Sequence, residues 1–176
     1  EFLLKNGANP NQKGGSKEKT PLHLLAESSS KEAVKMMELL FQWKADPNVP
    51  NKDRLFPLHV AVFQGNTQAA KMLLAHGAAP NLVFAKPRQD TLLHLAVMDN
   101  NLELAQALIT HKASISQPNQ DGDTALHLAV KAKSPELISL LLKNSADPDF
   151  LNKKGESPYE LASKEDLGKL FPQKGK

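Results

Sequence analysis

Four histidines recur in matching settings: His23 in TPLHLLA, His59 in FPLHVAV, His94 in TLLHLAV and His127 in TALHLAV, at successive spacings of 36, 35 and 33 residues. A histidine among apolar residues can bind a metal, shuttle a proton, or satisfy both ring nitrogens inside a scaffold. One copy would leave all three uses open. Catalysis needs a constellation around the base, and the chain has no G-x-S-x-G, G-x-x-x-x-G-K-[ST], H-E-x-x-H or G-x-G-x-x-G. With no cysteine, thiolate zinc sites and disulfides are excluded. No catalytic residue, cofactor site or metal site is therefore assigned, and the segment is read as non-enzymatic.

The elements around the histidines repeat as well. A degraded copy of the motif, SPYE, stands at Ser157 to Glu160, 33 residues after the last. A second marker runs in phase: GANPN from Gly7, KADPN from Lys44, GAAPN from Gly77, KASIS from Lys112 and SADPD from Ser145. Between the markers lie two short segments with apolar residues three or four apart, the pattern of two amphipathic helices. Thr20, Thr91, Thr124 and Ser157 suit N-caps, and Pro21, Pro57 and Pro158 suit the first helical position, where no donor is needed. Leu22, Leu58, Leu93 and Leu126 should face the core. Ala61, Ala96 and Ala129 are small where neighbouring units approach; Leu25 and Ala26 depart from that pattern in the first unit.

Ser29, with Glu32 behind it, and Ser134 before Pro135 should start second helices. Gly7 and Gly77 suit left-handed helix ends, and Lys44, Lys112 and Ser145 hold the same place at a conformational cost. Three extra residues between Ala26 and Met36 should lengthen one second helix by a turn. Two more enlarge the turn from Asn81 to Gln89.

On these motifs the sequence resembles the ankyrin-repeat family, whose unit of about 33 residues carries T-P-L-H-x-A on the first of two antiparallel helices. The resemblance implies an all-α fold, a solenoid of antiparallel helix pairs joined by β-turn or hairpin loops. It implies a single domain over 1–176: the end of a partial repeat and turn at 1–19, full repeats at 20–55, 56–90, 91–123 and 124–156, a capping repeat at 157–171 and a polar tail at 172–176. The opening at Glu1 without methionine and in mid-unit suggests a piece of a longer protein, with Leu3 and Leu4 exposed or covered by upstream units. The family's stacking, about 10 Å between neighbours, keeps two motif histidines from sharing one ion. A scaffold role follows for them, and His76 and His111 should sit near second-helix ends.

The resemblance further implies a protein-binding face of turns and first helices. By position this comprises Lys52, Asp53, Leu55, Phe63, Gln64, Arg88, Asp90, Met98, Asp99, Gln120, Asp121, Asp123 and Lys131. Leu55, Phe63 and Met98 are apolar where the scaffold has no need of it. The acidic Asp90, Asp99, Asp121 and Asp123 suggest a partner with an apolar anchor flanked by basic residues. Trp43 and Phe84 could form a second patch. Asn48 and Asn81 follow a leucine at the spacing of the family's asparagine-hydroxylation sites, although a hydrogen-bonding turn role is favoured.

The expected function is a partner-binding module of a longer scaffold, regulatory or effector protein; the alternative is the substrate-recruiting part of a larger enzyme. With 22 basic against 19 acidic residues, a net charge of +3 and no basic stripe, nucleic acid is not the expected partner. No stretch reaches membrane-span length. A monomer inside the cell, or in a host cytosol for a secreted effector, is the expectation.

Overall fold

The computed structural model describes residues 2–82 and 89–172. The chain divides into two compact units, Glu1–Pro80 and Asn81–Lys176. Each is built from short helix pairs.

In unit 1, α1 (Phe2–Lys5) precedes two pairs, α2 (Pro21–Ala26) with α3 (Lys31–Gln42), and α4 (Pro57–Phe63) with α5 (Thr67–Ala75). Within each pair the helices pack together, and α2 lies on α4 as α3 lies on α5. Unit 2 repeats this with α6 (Leu92–Met98) and α7 (Leu102–Thr110), then α8 (Ala125–Lys131) and α9 (Pro135–Lys143). It closes on α10 (Pro158–Ser163) and a 3-10 turn at Gly168–Leu170, whose following residue Phe171 is buried edge-on against Tyr159.

The expected extra turn is in α3, 12 residues long where α5, α7 and α9 have nine. Its cap is Ser30, not Ser29: the Ser30 hydroxyl accepts the Ala33 N–H at 3.0 Å. A cap must stand three residues before the amide it serves, and in a run of serines only that distance decides. Asn66 and Asn101 cap α5 and α7 through Ala69 and Leu104, a role the sequence reading did not give them. Ser134 does precede Pro135 at the start of α9, but its hydroxyl donates to Asn100 Oδ1 at 2.8 Å.

Second helices stop alike. After α3, α5, α7 and α9 a left-handed residue (Lys44, Gly77, Lys112 or Ser145, φ 62 to 86°) lets the next N–H reach back to a leucine carbonyl. The pairs are Ala45 to Leu40, Ala78 to Leu73, Ala113 to Leu108 and Ala146 to Leu141. This double turn satisfies carbonyls that a helix end leaves open.

Leu22 and Leu58 in unit 1, and Leu93 and Leu126 in unit 2, are buried as their spacing requires, with Ala61, Ala96 and Ala129 fully enclosed. In the first pair Ala26 is enclosed and Leu25 only partly so. No helix among the described residues is long and apolar enough to cross a membrane.

Candidate functional site

The motif histidines are held at Nδ1, and His23, His94 and His127 from both sides of the ring. The backbone N–H of Thr20, Phe56, Thr91 and Thr124 donates to Nδ1 of His23, His59, His94 and His127 at 3.1, 3.1, 2.9 and 3.1 Å. An N–H can only donate, so Nδ1 carries no proton and the ring hydrogen is on Nε2. From there His23 donates to the Leu55 carbonyl at 2.9 Å, and His94 and His127 to those of Asp123 and Glu156 at 3.1 Å. Each acceptor lies in the following repeat. Each of these three histidines thus pins a helix start to the next hairpin, with both nitrogens engaged. Burial lowers the pKa of His23 and His127 despite those carbonyl bonds, and burial together with the neighbouring His23 lowers His59 to about 4. Protonation would place a second hydrogen against the N–H that Nδ1 accepts.

Hairpin shape comes from asparagines the sequence reading overlooked. Asn51 Oδ1 accepts the N–H of Asp53 and Leu55; Asn119 does so for Asp121 and Asp123, and Asn152 for Lys154 and Glu156. Each stands five residues before the motif's first residue, a period visible in NKDRLF, NQDGDT and NKKGES. Their Nδ2 groups in unit 2 reach back one repeat: Asn119 to Asp90 and Asn152 to Asp123, both at 2.9 Å.

Those bonds correct two expectations. Asp90 and Asp123 are buried, 6% and 3% exposed, with their carboxylates turned to scaffold amides. Burial pushes the Asp123 carboxyl up, but hydrogen bonds from Lys131 and Asn152 outweigh it and hold the pKa below the usual range. Lys131, exposed as expected, pairs with Asp123. The outward acidic run in unit 2 therefore reduces to Asp99 and Asp121, beside exposed Gln120. Met98 is 45% exposed at the end of α6.

In unit 1 the structure gathers Asp53, Leu55, Phe63 and Gln64 around one groove of about 250 Å³, together with Lys17, Lys19 and Glu27. Phe63 is 54% exposed. Lys17 pairs with Asp53 at 2.9 Å and Lys19 with Glu27, so the apolar patch is flanked by neutralised charge. Lys52 is exposed, its N–H bonded to the Lys17 carbonyl at 3.0 Å.

A rule emerges that the sequence contains but does not announce. In three of the four full repeats the residue before the motif and the one eight further on form a pair. It is Lys19 with Glu27, then Leu55 with Phe63, and in unit 2 Asp123 with Lys131, an ion pair of reversed sign.

Arg88 and Phe84, and most of the enlarged turn from Asn81 to Gln89, lie outside the described residues. Trp43 ends α3, 39% exposed. His76 ends α5, stacked on Phe41 with centroids 3.9 Å apart, and His111 ends α7, its Nδ1–H donating to the Ala107 carbonyl. Asn48 and Asn81 tie successive turns: Asn48 accepts the Ala79 N–H and donates to the Gly77 carbonyl, while Asn81 does the same with Ser114 and Lys112. Among the described residues no three His, Asp or Glu side chains converge as a metal site.

Comparison with known proteins agrees with this geometry. Over 81 residues the chain is 38% identical to human Rabankyrin-5, and over 80 residues 35% identical to alpha-latrocrustotoxin-Lt1a of Latrodectus tredecimguttatus. The matches cover 42% and 46% of this chain but only 7% and 5% of those relatives. In structure it resembles the ankyrin repeat domain of Bcl-3, a member of the IkappaB protein family, with a TM-score of 0.81 and 27% identity over 96% of this chain and 74% of that one. It also resembles a chain of the complex between the Bd0816 predatory endopeptidase of Bdellovibrio bacteriovorus and immunity protein Bd3460, with a TM-score of 0.77 and 28% identity, covering 99% and 90%. The family model for ankyrin repeats in three copies matches residues 1–84 and 93–170. With phased motifs, stacked helix pairs and histidine-pinned hairpins, the chain belongs to the ankyrin-repeat family, whose fold is a protein-interaction fold.

Proposed function

We propose that the chain binds a partner protein through the edges where hairpins meet the ends of first helices, as a module of a longer scaffold or regulatory protein. The observation that carries this is the groove beside Leu55 and Phe63. An aromatic ring 54% exposed beside an aliphatic residue stands where the repeats beginning at Thr20 and Thr124 carry ion pairs. Scaffold packing does not call for it, and apolar side chains gathered at one open groove are the usual anchor of an interface. The flanking ion pairs Lys17–Asp53 and Lys19–Glu27 favour an apolar side chain from the partner over a charged one. In unit 2 the corresponding edge offers Met98, Asp99, Gln120, Asp121 and Lys131, an apolar residue among mixed charges. The small share of the curated relatives' length that the chain matches supports the reading of a module.

The test compares wild-type protein with Phe63→Ser and with Phe63→Ser/Met98→Ser in affinity capture from the native cell. Circular dichroism checks that each variant is folded. Loss of a partner with Phe63→Ser and further loss with the double variant supports the assignment; a folded double variant that captures the same partner equally well refutes it.

A further inference from the structure

The two second helices of unit 2, α7 and α9, pack on each other and leave a groove of about 800 Å³ along their exposed side. Matched positions line it: Leu102 faces it with Pro135, and Gln106 with Ser139. Leu140 carries its floor onward along α9.

Two features define what fits. The first is apolar surface that core packing does not account for. The inward side chains Leu104, Leu108, Leu137 and Leu141 are all buried, yet Leu102 opens α7 at 41% exposed, beside exposed Pro135. In α5, a helix of the same length in unit 1, the first and fifth residues are Thr67 and Lys71. In α7 and α9 the fifth residues are Gln106 and Ser139, so the middle of the groove carries no charge.

The second feature is where the charge lies. Glu103 and Glu136 stand in the first turns of α7 and α9, Lys143 in the last turn of α9, and all three are exposed at the groove. One end is therefore acidic and the other basic.

The occupant must bring its own backbone bonds. Both walls are helices, whose interior peptide groups bond within them, so an extended strand laid there would find no main-chain partners. A helix satisfies itself and offers apolar side chains three and four apart. The nine residues of α9, which lines the groove from end to end, span about 14 Å, so a short helix covers it. Direction follows from electrostatics. A helix favours acidic residues in its first turn and basic ones in its last. Laid antiparallel to α9, such a helix sets its acidic start beside Lys143 and its basic end beside Glu103 and Glu136. Laid parallel, it meets like charge at both ends.

We infer that the groove between α7 and α9 docks a short amphipathic helix of a partner protein, antiparallel to α9, acidic at its start, basic at its end and apolar on the face between. This surface is made by second helices of unit 2, whereas the Phe63 groove is made in unit 1 by hairpins and first helices.

The test titrates the full chain with a synthetic peptide of about 15 residues, stapled to hold it helical. It carries leucines three and four apart, glutamates in its first turn, lysines in its last and a nitroxide at the lysine end. Leu102→Asp should weaken binding at least tenfold, and an acidic residue in a first turn keeps α7 folded. Thr67→Asp, the matching change in α5, should leave affinity unchanged. The nitroxide should broaden the amide signals of Glu103 and Glu136 more than that of Lys143. With Glu103→Lys/Glu136→Lys/Lys143→Glu the peptide should turn round, and the strongest broadening should move to position 143. No binding, equal weakening by Leu102→Asp and Thr67→Asp, or an orientation that ignores the exchanged charges overturns the inference.

Discussion

The side-chain amide of Asn152 donates to the Asp123 carboxylate at 2.9 Å, joining two hairpins 29 residues apart in sequence. The same asparagine accepts two N–H groups of its own turn, so one residue both shapes a hairpin and ties it to its neighbour. Asn152→Ala should cost about 2–3 kcal/mol, because it leaves buried polar groups without partners. A double-mutant cycle with Asp123→Ala, read by urea unfolding, should give a coupling of about 1 kcal/mol. Strict additivity would show that the link contributes nothing.

Stability should fall with acid before the carboxylates titrate. Burial puts His59 near 4 from an ordinary 6.5 and lowers His23 and His127 too, so the unfolded chain takes up protons first as pH drops. Their contribution is complete above pH 6.5 and is lost as pH falls toward the folded values. For His59 alone, with the pKa moved from 6.5 to about 4, the loss by pH 4 is on the order of 3 kcal/mol. Asp123, held low, loses its contribution only below the ordinary carboxylate range of 3.8. Urea midpoints at pH 7.5, 6, 4.5 and 3 separate the two windows, and a flat profile from pH 7.5 to 4.5 would contradict the histidine assignment.

Two kinds of glycine site should respond in opposite ways. Lys112 and Ser145 hold φ of 70° and 67°, and Lys112→Gly or Ser145→Gly should stabilise by about 1 kcal/mol by removing left-handed strain. Gly122 is already glycine for two reasons. Its φ is 79°, and a Cβ would stand 2.7 Å from the Lys153 backbone nitrogen of the next hairpin. Gly122→Ala should therefore be far more damaging than Gly77→Ala, where φ is 86° but nothing lies within 4 Å. Thermal melts of the four variants give the order directly.

Enlarging the helix seam should be costly. Ala129 is fully enclosed in α8, which packs against α6, α9 and α10. Ala129→Leu should lose about 1–3 kcal/mol by overpacking, whereas Ala132→Leu, at an exposed position one turn on, should stay within about 0.5 kcal/mol. Equal melting temperatures for the pair would show that the seam is not tightly packed.

Periodic features could be read from the sequence because each repeat answers the same local constraint. The enclosed alanines, the left-handed Lys44, Lys112 and Ser145, and the added turn of α3 all follow from counting against neighbouring units. Features fixed by a contact with the next repeat were harder. Asp90 and Asp123 look like surface charge until Asn119 and Asn152 fold back on them, and Ser30 competes with Ser28 and Ser29 until the Ala33 amide chooses. The candidate site was legible where side chains depart from scaffold needs, as at Leu55 and Phe63. Lys17, Lys19 and Glu27 joined that groove only in three dimensions.

The histidine fastening of one repeat to the next is blind to the side chain of the residue it seizes. His23, His94 and His127 all seize main-chain oxygens, and the residues lending them are Leu55, Asp123 and Glu156: greasy, acidic and acidic again. A joint made on atoms common to every amino acid leaves the attached side chain under no obligation to the joint. At Leu55 the side chain is free to be selected for what it meets outside, whereas Asp123 is held by its separate bond from Asn152. A rigid stack can thereby acquire a new binding preference one residue at a time.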